Sequence, residues 1–319
     1  MAKVRLRVVP DDHPGPFVPG EAVAGRVEIE ADEAVECSGL KISVGWKTEG
    51  EANAVAGPRS EDVVGAGKWN AGDRLTARFT LPIPSGPPTY RGRRFNLLWT
   101  VRAEADLAWA FDASAEASID VGPAVAPEGK LVAVESTGGS QVGCAVFAVL
   151  LALGCLLPVL LGAPALPLVL FGGFGVLLAL YAVPRAIAHR GMGKVTLEAG
   201  PSPAPRGGEI ACRVYLRPRR EIVPQQVQAV LTATETSVRG SGKHKSTRYE
   251  ELAKISTTLM GPPSVHAGSQ GEYAGLLAIP GDAPPSFEAS PHGVAWKLKV
   301  TVDIPGLPDP DWELVIRVV

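Results

Sequence analysis

The sequence predicts a mainly β protein in which two tandem antiparallel β-sandwiches are separated by a two-helix transmembrane hairpin. Three observations lead to this fold class. Short runs in both halves of the 319-residue chain alternate between apolar and polar residues, the two halves share motifs in the same order, and the stretch from Ser136 to Pro184 contains no charged residue. Alternation with a period of two is typical of strands with one buried face. A long apolar stretch without charges is typical of membrane spans.

The N-terminal part, residues 1–127, is predicted to be the first sandwich. Turns rich in Gly and Pro separate its alternating runs, and no helical period is sustained between them. Each run therefore predicts a strand that buries every second side chain, as in an antiparallel sandwich. The predicted inward-facing sets are Val4, Leu6 and Val8; Leu40, Ile42, Val44 and Trp46; Leu75, Ala77, Phe79 and Leu81; Phe95, Leu97, Trp99, Val101, Ala103 and Ala105; and Ala115, Ala117, Ile119 and Val121.

A helical hairpin is predicted at residues 142–187, after a linker at 128–141. Its spans are Val142–Leu161 and Ala165–Pro184, each long enough to cross a hydrocarbon core of about 30 Å at about 1.5 Å per residue. Gly162, Ala163 and Pro164 between them predict a tight turn. Small residues spaced four apart predict the faces on which the spans pack on each other, or on which two copies of the chain form a homodimer. These candidate helix-packing residues are Cys144, Ala148, Ala152, Gly175 and Ala179.

Flanking charge predicts the orientation of the hairpin. Arg185, Arg190 and Lys194 follow the second span, whereas the turn carries no charge. Because positively charged flanks stay on the cytoplasmic side, both β-domains are predicted to be cytoplasmic, at the inner or plasma membrane of a bacterium. The first residues contain no apolar run of the length of a signal peptide.

Residues 193–319 are predicted to form a second sandwich that repeats the first. Matched positions keep their order, and their separation grows from 187 to 197 along the chain. This growth predicts a longer hairpin loop in the second copy, around Arg239–Glu251. A repeat of this length predicts two copies of one fold. The matched segments are Gly20–Val27 with Gly207–Val214, Pro87–Tyr90 with Pro284–Phe287, and Trp99 with Trp296.

These motifs resemble those of arrestins. The segment Pro19–Val27 is similar to the entry into the second strand of arrestin N-terminal domains. Phe79–Gly92, followed by Leu98–Val101, is similar to the segment that leads into a central arrestin strand. The resemblance covers both parts outside the hairpin. It implies tandem immunoglobulin-like sandwiches and a non-catalytic adaptor or scaffold, although a hairpin between the lobes is not part of the arrestin pattern.

Composition and motifs give no support for catalysis, cofactors or nucleic acid. The net charge of −2 and a pI of about 6.2 imply no general attraction to nucleic acid. The five histidines form no pattern with a nucleophile, and Asp11–His13 predicts a surface turn rather than a metal site. Pro87–Tyr90 matches the ligand motif of WW domains, but its position predicts a turn that seats an aromatic residue in the core. The cysteines, predicted to be packing residues, are Cys37, Cys144, Cys155 and Cys212.

Two basic clusters are candidate binding sites for a protein partner or for anionic lipid. Anionic head groups attract such clusters by about 1 kcal/mol per charge near a membrane surface, and the alternative is a solvated loop. The first cluster comprises Arg91, Arg93 and Arg94, and the second comprises Arg239, Lys243, Lys245 and Arg248.

The sequence therefore predicts a membrane-tethered, non-catalytic adaptor or scaffold that binds a protein or lipid partner through its sandwiches. The alternative is a subunit of a membrane transport or envelope assembly in which the hairpin is the working part.

Overall fold

The computed structural model describes residues 4–108, 112–124, 128–136, 146, 148–153 and 165–319, and of residues 165–173 it describes the backbone only. Within these residues the chain is mainly β and forms two sandwiches, here called the N-terminal and the C-terminal lobe. The predicted mainly β sandwich fold is confirmed.

The N-terminal lobe consists of two antiparallel sheets. Its strands are β1 (Val4–Pro10), β2 (Ala22–Ala31), β3 (Val35–Gly50), β4 (Ala56–Val64), β5 (Gly67–Trp69), β6 (Arg74–Pro82), β7 (Tyr90–Arg91), β8 (Phe95–Leu107) and β9 (Ala113–Ile119). One sheet has the order β1–β2–β6, and the other has the order β4–β3–β8–β7, with β5 paired to β3 and β9 paired to β8. The predicted inward residues Ile42, Val44 and Trp99 are fully buried between them.

The C-terminal lobe has the same two-layer arrangement. Its strands are β10 (Lys130–Ser136), β11 (Lys194–Ser202), β12 (Glu209–Arg217), β13 (Gln226–Arg239), β14 (Ser246–Thr258), β15 (Gly271–Ala278), β16 (Phe287–Ala289), β17 (His292–Asp303) and β18 (Asp311–Ile316). The sheets run β10–β11–β12–β15 and β14–β13–β17–β16, with β18 paired to β17. Strand β10 comes from the region that was predicted to be a linker.

Matched positions of the two lobes make the same hydrogen bonds. Trp99 Nε1 donates to the carbonyl oxygen of Pro87 at 2.9 Å, and Trp296 Nε1 donates to that of Pro284 at 2.8 Å. A second matched pair lies just after the last strand of each lobe: the amide of Val121 donates to Thr89 Oγ1, and the amide of Val318 donates to Ser286 Oγ, both at 2.9 Å. Each lobe therefore fixes its buried tryptophan and the segment after its last strand by the same side-chain contacts.

The helical region differs from the prediction. Residues 148–153 are helical (α1), and a second helix, α2, spans Ala165–Met192. Helix α2 contains Pro184, the predicted end of the second span, and continues until Met192 enters the core of the C-terminal lobe. Gly193 ends the helix with a left-handed φ of 65°, a conformation that glycine adopts without a steric penalty.

No helix in the described parts of the chain is long and apolar enough to cross a membrane. The predicted hairpin at 142–187, with spans at 142–161 and 165–184, is therefore wrong. So are the integral, two-pass membrane association and the location at the inner or plasma membrane with cytoplasmic β-domains. The prediction rested on an uncharged run, whereas α2 continues through Arg185, His189 and Arg190 and packs on the C-terminal lobe. The turn at 162–164 lies outside the described residues.

Candidate functional site at the inter-lobe face

The two lobes meet at a surface, here called the inter-lobe face, whose centre is the carboxylate of Glu235. Strand β13 holds this side chain at 0% exposure. Tyr90 Oη donates to Glu235 Oε2 at 2.6 Å. The backbone amides of Arg93 and Arg94 donate to the same carboxylate at 3.0 Å and 2.9 Å. A buried carboxylate needs several donors to offset its desolvation, and here all three come from the other lobe.

The turn after β7 is shaped to hold this carboxylate. A Cβ atom on Gly92 would collide with Glu235 Oε2 and with the ring of Tyr90, so only glycine allows the turn to approach this closely. Burial, together with the hydrogen bond to Glu235, raises the pKa of the Tyr90 phenol. Tyr90 is therefore a neutral hydrogen-bond donor throughout the physiological pH range. Its ring is buried, as expected for a turn that seats an aromatic residue in the core.

A second polar contact joins the lobes at Asn53. Its side chain accepts from the amide of Gly240 at 2.9 Å and donates to the carbonyl oxygen of Gly240 at 3.0 Å. The buried ring of His292 accepts at Nδ1 from the amide of Val238 at 3.1 Å. The ring proton therefore lies on Nε2, which donates to the carbonyl oxygen of Asn53 at 2.9 Å.

Apolar contacts complete the inter-lobe face. The ring of Phe287 lies 4.9 Å from that of Tyr90, and the ring of His292 lies 5.1 Å from that of Phe95. The hydrophobic core of the N-terminal lobe also extends to Ala289 and Val294 of the C-terminal lobe. The two lobes therefore share buried apolar and polar groups.

The contacting residues occupy matched positions in the two repeats. Tyr90 and Phe287 are 197 positions apart, as are Phe95 and His292, and Asn53 and Gly240 are 187 apart. These are the separations of the internal sequence repeat. The lobes therefore meet with equivalent surfaces, as the subunits of a two-fold symmetric dimer do.

The outer rim of the inter-lobe face carries part of each predicted basic cluster. Arg94, Arg239 and Arg248 line one hollow of about 20 Å³, and this group is here called the basic border. The remaining lining residues are Glu51, Ala52, Ser237 and Ser246. A hollow of this size holds little more than one water molecule. A binding partner therefore has to present its polar group at the mouth rather than inside.

Charges at the basic border are only partly neutralised. Arg94 lies 3.0 Å from Glu51 and 3.4 Å from Glu250, and Arg93 lies 3.0 Å from Glu250. The hydrogen bond from Arg93 lowers the pKa of Glu250, and the hydrogen bond to Glu51 raises that of Arg94. Within the described parts of the chain, no carboxylate lies within ion-pair distance of the exposed cations Arg239 and Arg248.

The other predicted cations are not part of the basic border. Lys243 and Lys245 lie at the exposed 3-10 turn Gly242–His244 that connects β13 to β14. Arg91 is exposed on β7. The structure thus brings one residue of the first cluster and two of the second together.

Of the predicted helix-packing residues, Ala152 and Gly175 lie where α1 meets α2. A Cβ atom on Gly175 would lie against Ala152, and Ala148 is fully buried. Ala179 is half-buried and lines, with Ala152, an apolar hollow of about 360 Å³. Cys144 lies outside the described residues.

The two buried cysteine thiols that the structure describes lie away from the inter-lobe face and serve as packing groups. Burial raises the pKa of the Cys212 thiol to about 12 and raises that of Cys37, so both stay as unreactive thiols. Cys155, like Cys144, is outside the described residues. The described part of the chain contains no group of three or more residues that could hold a metal ion, and Asp11–His13 lies exposed.

Comparison with known proteins gives no identification. No protein-family model matches the sequence, and no curated protein matches it either. Function therefore has to be argued from the geometry of the site itself.

Sequence reasoning missed Glu235, Asn53 and His292. A signal for Glu235 was present, because it continues the inward-facing series of Val227, Ala229, Leu231 and Ala233 along β13. A carboxylate at a buried position indicates a partner. No comparable signal marks Asn53, which lies in a loop, or His292, whose ring bonds only to backbone groups.

Proposed function

We propose that this protein is a non-catalytic adaptor of the arrestin-like class, whose two lobes act as one platform and bind a protein partner at the basic border. The observation that carries the proposal is the convergence of Arg94, Arg239 and Arg248 from two distant segments onto one hollow. The arrestin-like class is supported by the quoted motifs and by two sandwiches with matched hydrogen bonds.

The contacts of Glu235 support a rigid platform. Separation of the lobes would break the three hydrogen bonds that Tyr90 Oη and the two amides make to Glu235. It would also expose to water the apolar residues that the lobes bury together, which is unfavourable. The distance between the basic segments of the two lobes is therefore held constant, which a composite binding surface requires.

The charge of the basic border favours an acidic group on the partner. Arg239 and Arg248 project from neighbouring strands, paired as Arg239 with Ser246 and Arg248 with Ser237. A guanidinium binds a carboxylate with two parallel hydrogen bonds. The two serine hydroxyls beside them supply further donors. An acidic side chain at the mouth of the hollow would supply a counter-charge for Arg239 and Arg248.

Affinity purification of the full-length, tagged protein from its source cells tests this proposal. We expect the proteins that co-purify with the wild type to fall by roughly tenfold with the double variant Arg239→Glu, Arg248→Glu, because attraction becomes repulsion. Raising the salt concentration should also weaken the wild-type complex, because exposed charges are screened.

The matched control is Arg206→Glu, Arg317→Glu, which makes the same change in charge at two exposed arginines of the C-terminal lobe. This variant should retain the wild-type partners. If the same proteins co-purify equally with the Arg239→Glu, Arg248→Glu variant, the basic border is not the binding site and the proposal fails.

A further inference from the structure

The edge strand β6 of the N-terminal lobe has a row of free backbone groups. The carbonyl oxygen of Asp73 accepts from Ala31, and the amide of Ile83 donates to Glu21, so odd-numbered residues point toward β2. Backbone groups alternate along an antiparallel strand. Those of Arg74, Thr76, Arg78 and Thr80 therefore point away from the sheet, where no described residue pairs with them.

The C-terminal lobe closes the same edge. Strand β15 is the counterpart of β6, and its Ala274 corresponds to Arg78, because each lies opposite the matched residues Arg213 and Arg26 of the neighbouring strand. Ala274 exchanges two hydrogen bonds with Met260, at 2.8 Å and 2.9 Å. In the N-terminal lobe the segment after β4 instead forms β5, which pairs with β3. The equivalent edge is therefore paired with an added segment in the C-terminal lobe, whereas in the N-terminal lobe no described segment pairs with β6.

Charge on the open edge is unbalanced. Arg78 lies directly opposite Arg26 on the outer face of the sheet, and like charges in this position repel. Arg26 donates to Glu28 at 3.0 Å and Arg74 donates to Glu30 at 3.1 Å. Among the described residues, Arg78 has no carboxylate partner. An acidic residue on an added strand, opposite Arg78, would supply the missing counter-charge.

The inner side of the same edge is apolar. Leu75 faces the interior of the sandwich, yet it remains 39% exposed, and none of the described strands covers it. A partner strand places alternate side chains on opposite faces. Its acidic residues would therefore lie beside Arg74 and Arg78, four positions apart, and apolar residues between them would cover Leu75.

We propose that the edge of β6 binds an extended acidic segment of a protein partner as an additional strand, with two acidic residues four positions apart and apolar residues in alternation between them. Addition of a strand to an open sheet edge is an established mode of peptide recognition. The inference rests on the proposed adaptor function for its biological role. It concerns a different surface from the basic border, so each can fail alone.

A labelled nine-residue peptide tests the inference. In this probe Thr and Val alternate, and Glu replaces Thr at the third and seventh positions. We expect saturable binding to the full-length protein by fluorescence anisotropy, weakened roughly tenfold by Arg78→Glu, because attraction to the opposite residue becomes repulsion. Thr76→Pro should abolish binding, because it removes an edge amide that makes no bond within the sheet.

Three controls keep the outcome decisive. Arg206→Glu changes the charge elsewhere and should bind the probe as the wild type does. A probe with Lys in place of both Glu residues should bind only the Arg74→Glu, Arg78→Glu variant. The Arg239→Glu, Arg248→Glu variant should bind the original probe normally. Absence of saturable binding to the wild type, equal binding by Thr76→Pro, or loss of binding in the Arg239→Glu, Arg248→Glu variant would overturn the proposal.

Discussion

At the scale of single residues, Glu235 joins the two lobes through its charge as well as its shape. A buried carboxylate stabilises a structure only where donors satisfy it, and removal of either side leaves costly unpaired groups. The donors here are one phenol and two amides of a single turn. Substitution at Glu235 therefore tests how strongly the lobes are coupled.

We predict that Glu235→Gln lowers the free energy of unfolding by about 1–3 kcal/mol. The amide keeps the size of the side chain, but its NH₂ group turns one acceptor into a donor that faces other donors. Chemical denaturation measures the change. The matched control is Glu251→Gln on the neighbouring strand β14, where the side chain is exposed and a change within about 0.5 kcal/mol is expected. Equal effects in both variants would contradict the role given to Glu235.

The buried imidazole of His189 predicts a pH dependence of stability. Its ring lies 5.6 Å from that of Trp312, and burial lowers its pKa, with a further lowering contribution from Arg185 against an opposing one from Asp311. In the unfolded chain a histidine titrates near pH 6.5. Because the unfolded state then binds more protons, this contribution is fully present above about pH 6.5 and is lost as the pH falls toward the folded pKa.

Thermal unfolding at about pH 7.5 and about pH 5.5 measures this contribution, on either side of the unfolded value. We expect the midpoint to fall less on acidification in His189→Gln than in the wild type. His244→Gln, at an exposed turn, should behave as the wild type does. An identical acid-induced drop in His189→Gln and the wild type would show that His189 does not cause it.

The sequence could predict only part of the site, because several of the groups that form it are backbone atoms or come from distant segments. The alternation along β13 was a usable signal for the burial of Glu235 that the sequence analysis did not use, and the two basic clusters were visible as charge. The partners of Glu235 lie far away in sequence, and two of them are backbone amides, which no pattern of residue types reveals. The convergence of Arg94 with Arg239 and Arg248 likewise depends on the packing of the lobes.

At the scale of elements, the junction between α2 and β11 depends on one glycine. The φ of Gly193 is 65°, and a Cβ atom there would collide with the carbonyl oxygen of Arg217. The preceding glycine, Gly191, lies inside the helix, where a Cβ atom would approach only the flexible end of Arg220. These two glycines are two positions apart, yet the fold requires glycine only at Gly193 and has room for a side chain at Gly191.

Gly193→Ala should destabilise the protein by about 1–2 kcal/mol, because a left-handed conformation is strained for alanine. Gly191→Ala should leave stability unchanged or raise it by up to about 1 kcal/mol, because alanine favours the helix. Thermal and chemical unfolding of both variants measure the difference. A Gly193→Ala variant as stable as Gly191→Ala would show that α2 does not end in the described way.

Strands were easier to predict than helices in this chain. Alternation is a local signal, and the buried set on β8 follows it closely. The apolar run of the middle region carries no information on what packs against it, so a helix that reaches the C-terminal lobe was interpreted as a membrane span. Leu75 shows a smaller discrepancy: it lies on the predicted face of β6, but it stays 39% exposed because no described strand pairs with that edge.

At the scale of the whole molecule, shared buried contacts couple the lobes. We predict that the β-rich body unfolds in a single cooperative transition, because the core of the N-terminal lobe includes Ala289 and Val294 of the C-terminal lobe. Calorimetry tests this, since the calorimetric and van't Hoff enthalpies agree for a two-state transition. The variant Tyr90→Ala, Phe287→Ala should separate the transition into two. Two transitions in the wild type would show that the lobes are energetically independent.

The contacts between matched residues at the inter-lobe face show how the two lobes are related to each other. A surface that meets its own equivalent is the arrangement of a homodimer with a two-fold axis, so the two lobes of this chain are related as the subunits of such a dimer are. Two identical subunits must carry the same residue on both sides. The two lobes of a single chain do not have that constraint. Glu235 lies in one lobe, whereas the matched position of the other lobe is Thr48. Likewise, the edge of β15 is paired with an added segment, whereas the edge of β6 is open among the described residues. Two copies of one fold within a single chain can therefore differ in places where the subunits of a homodimer cannot.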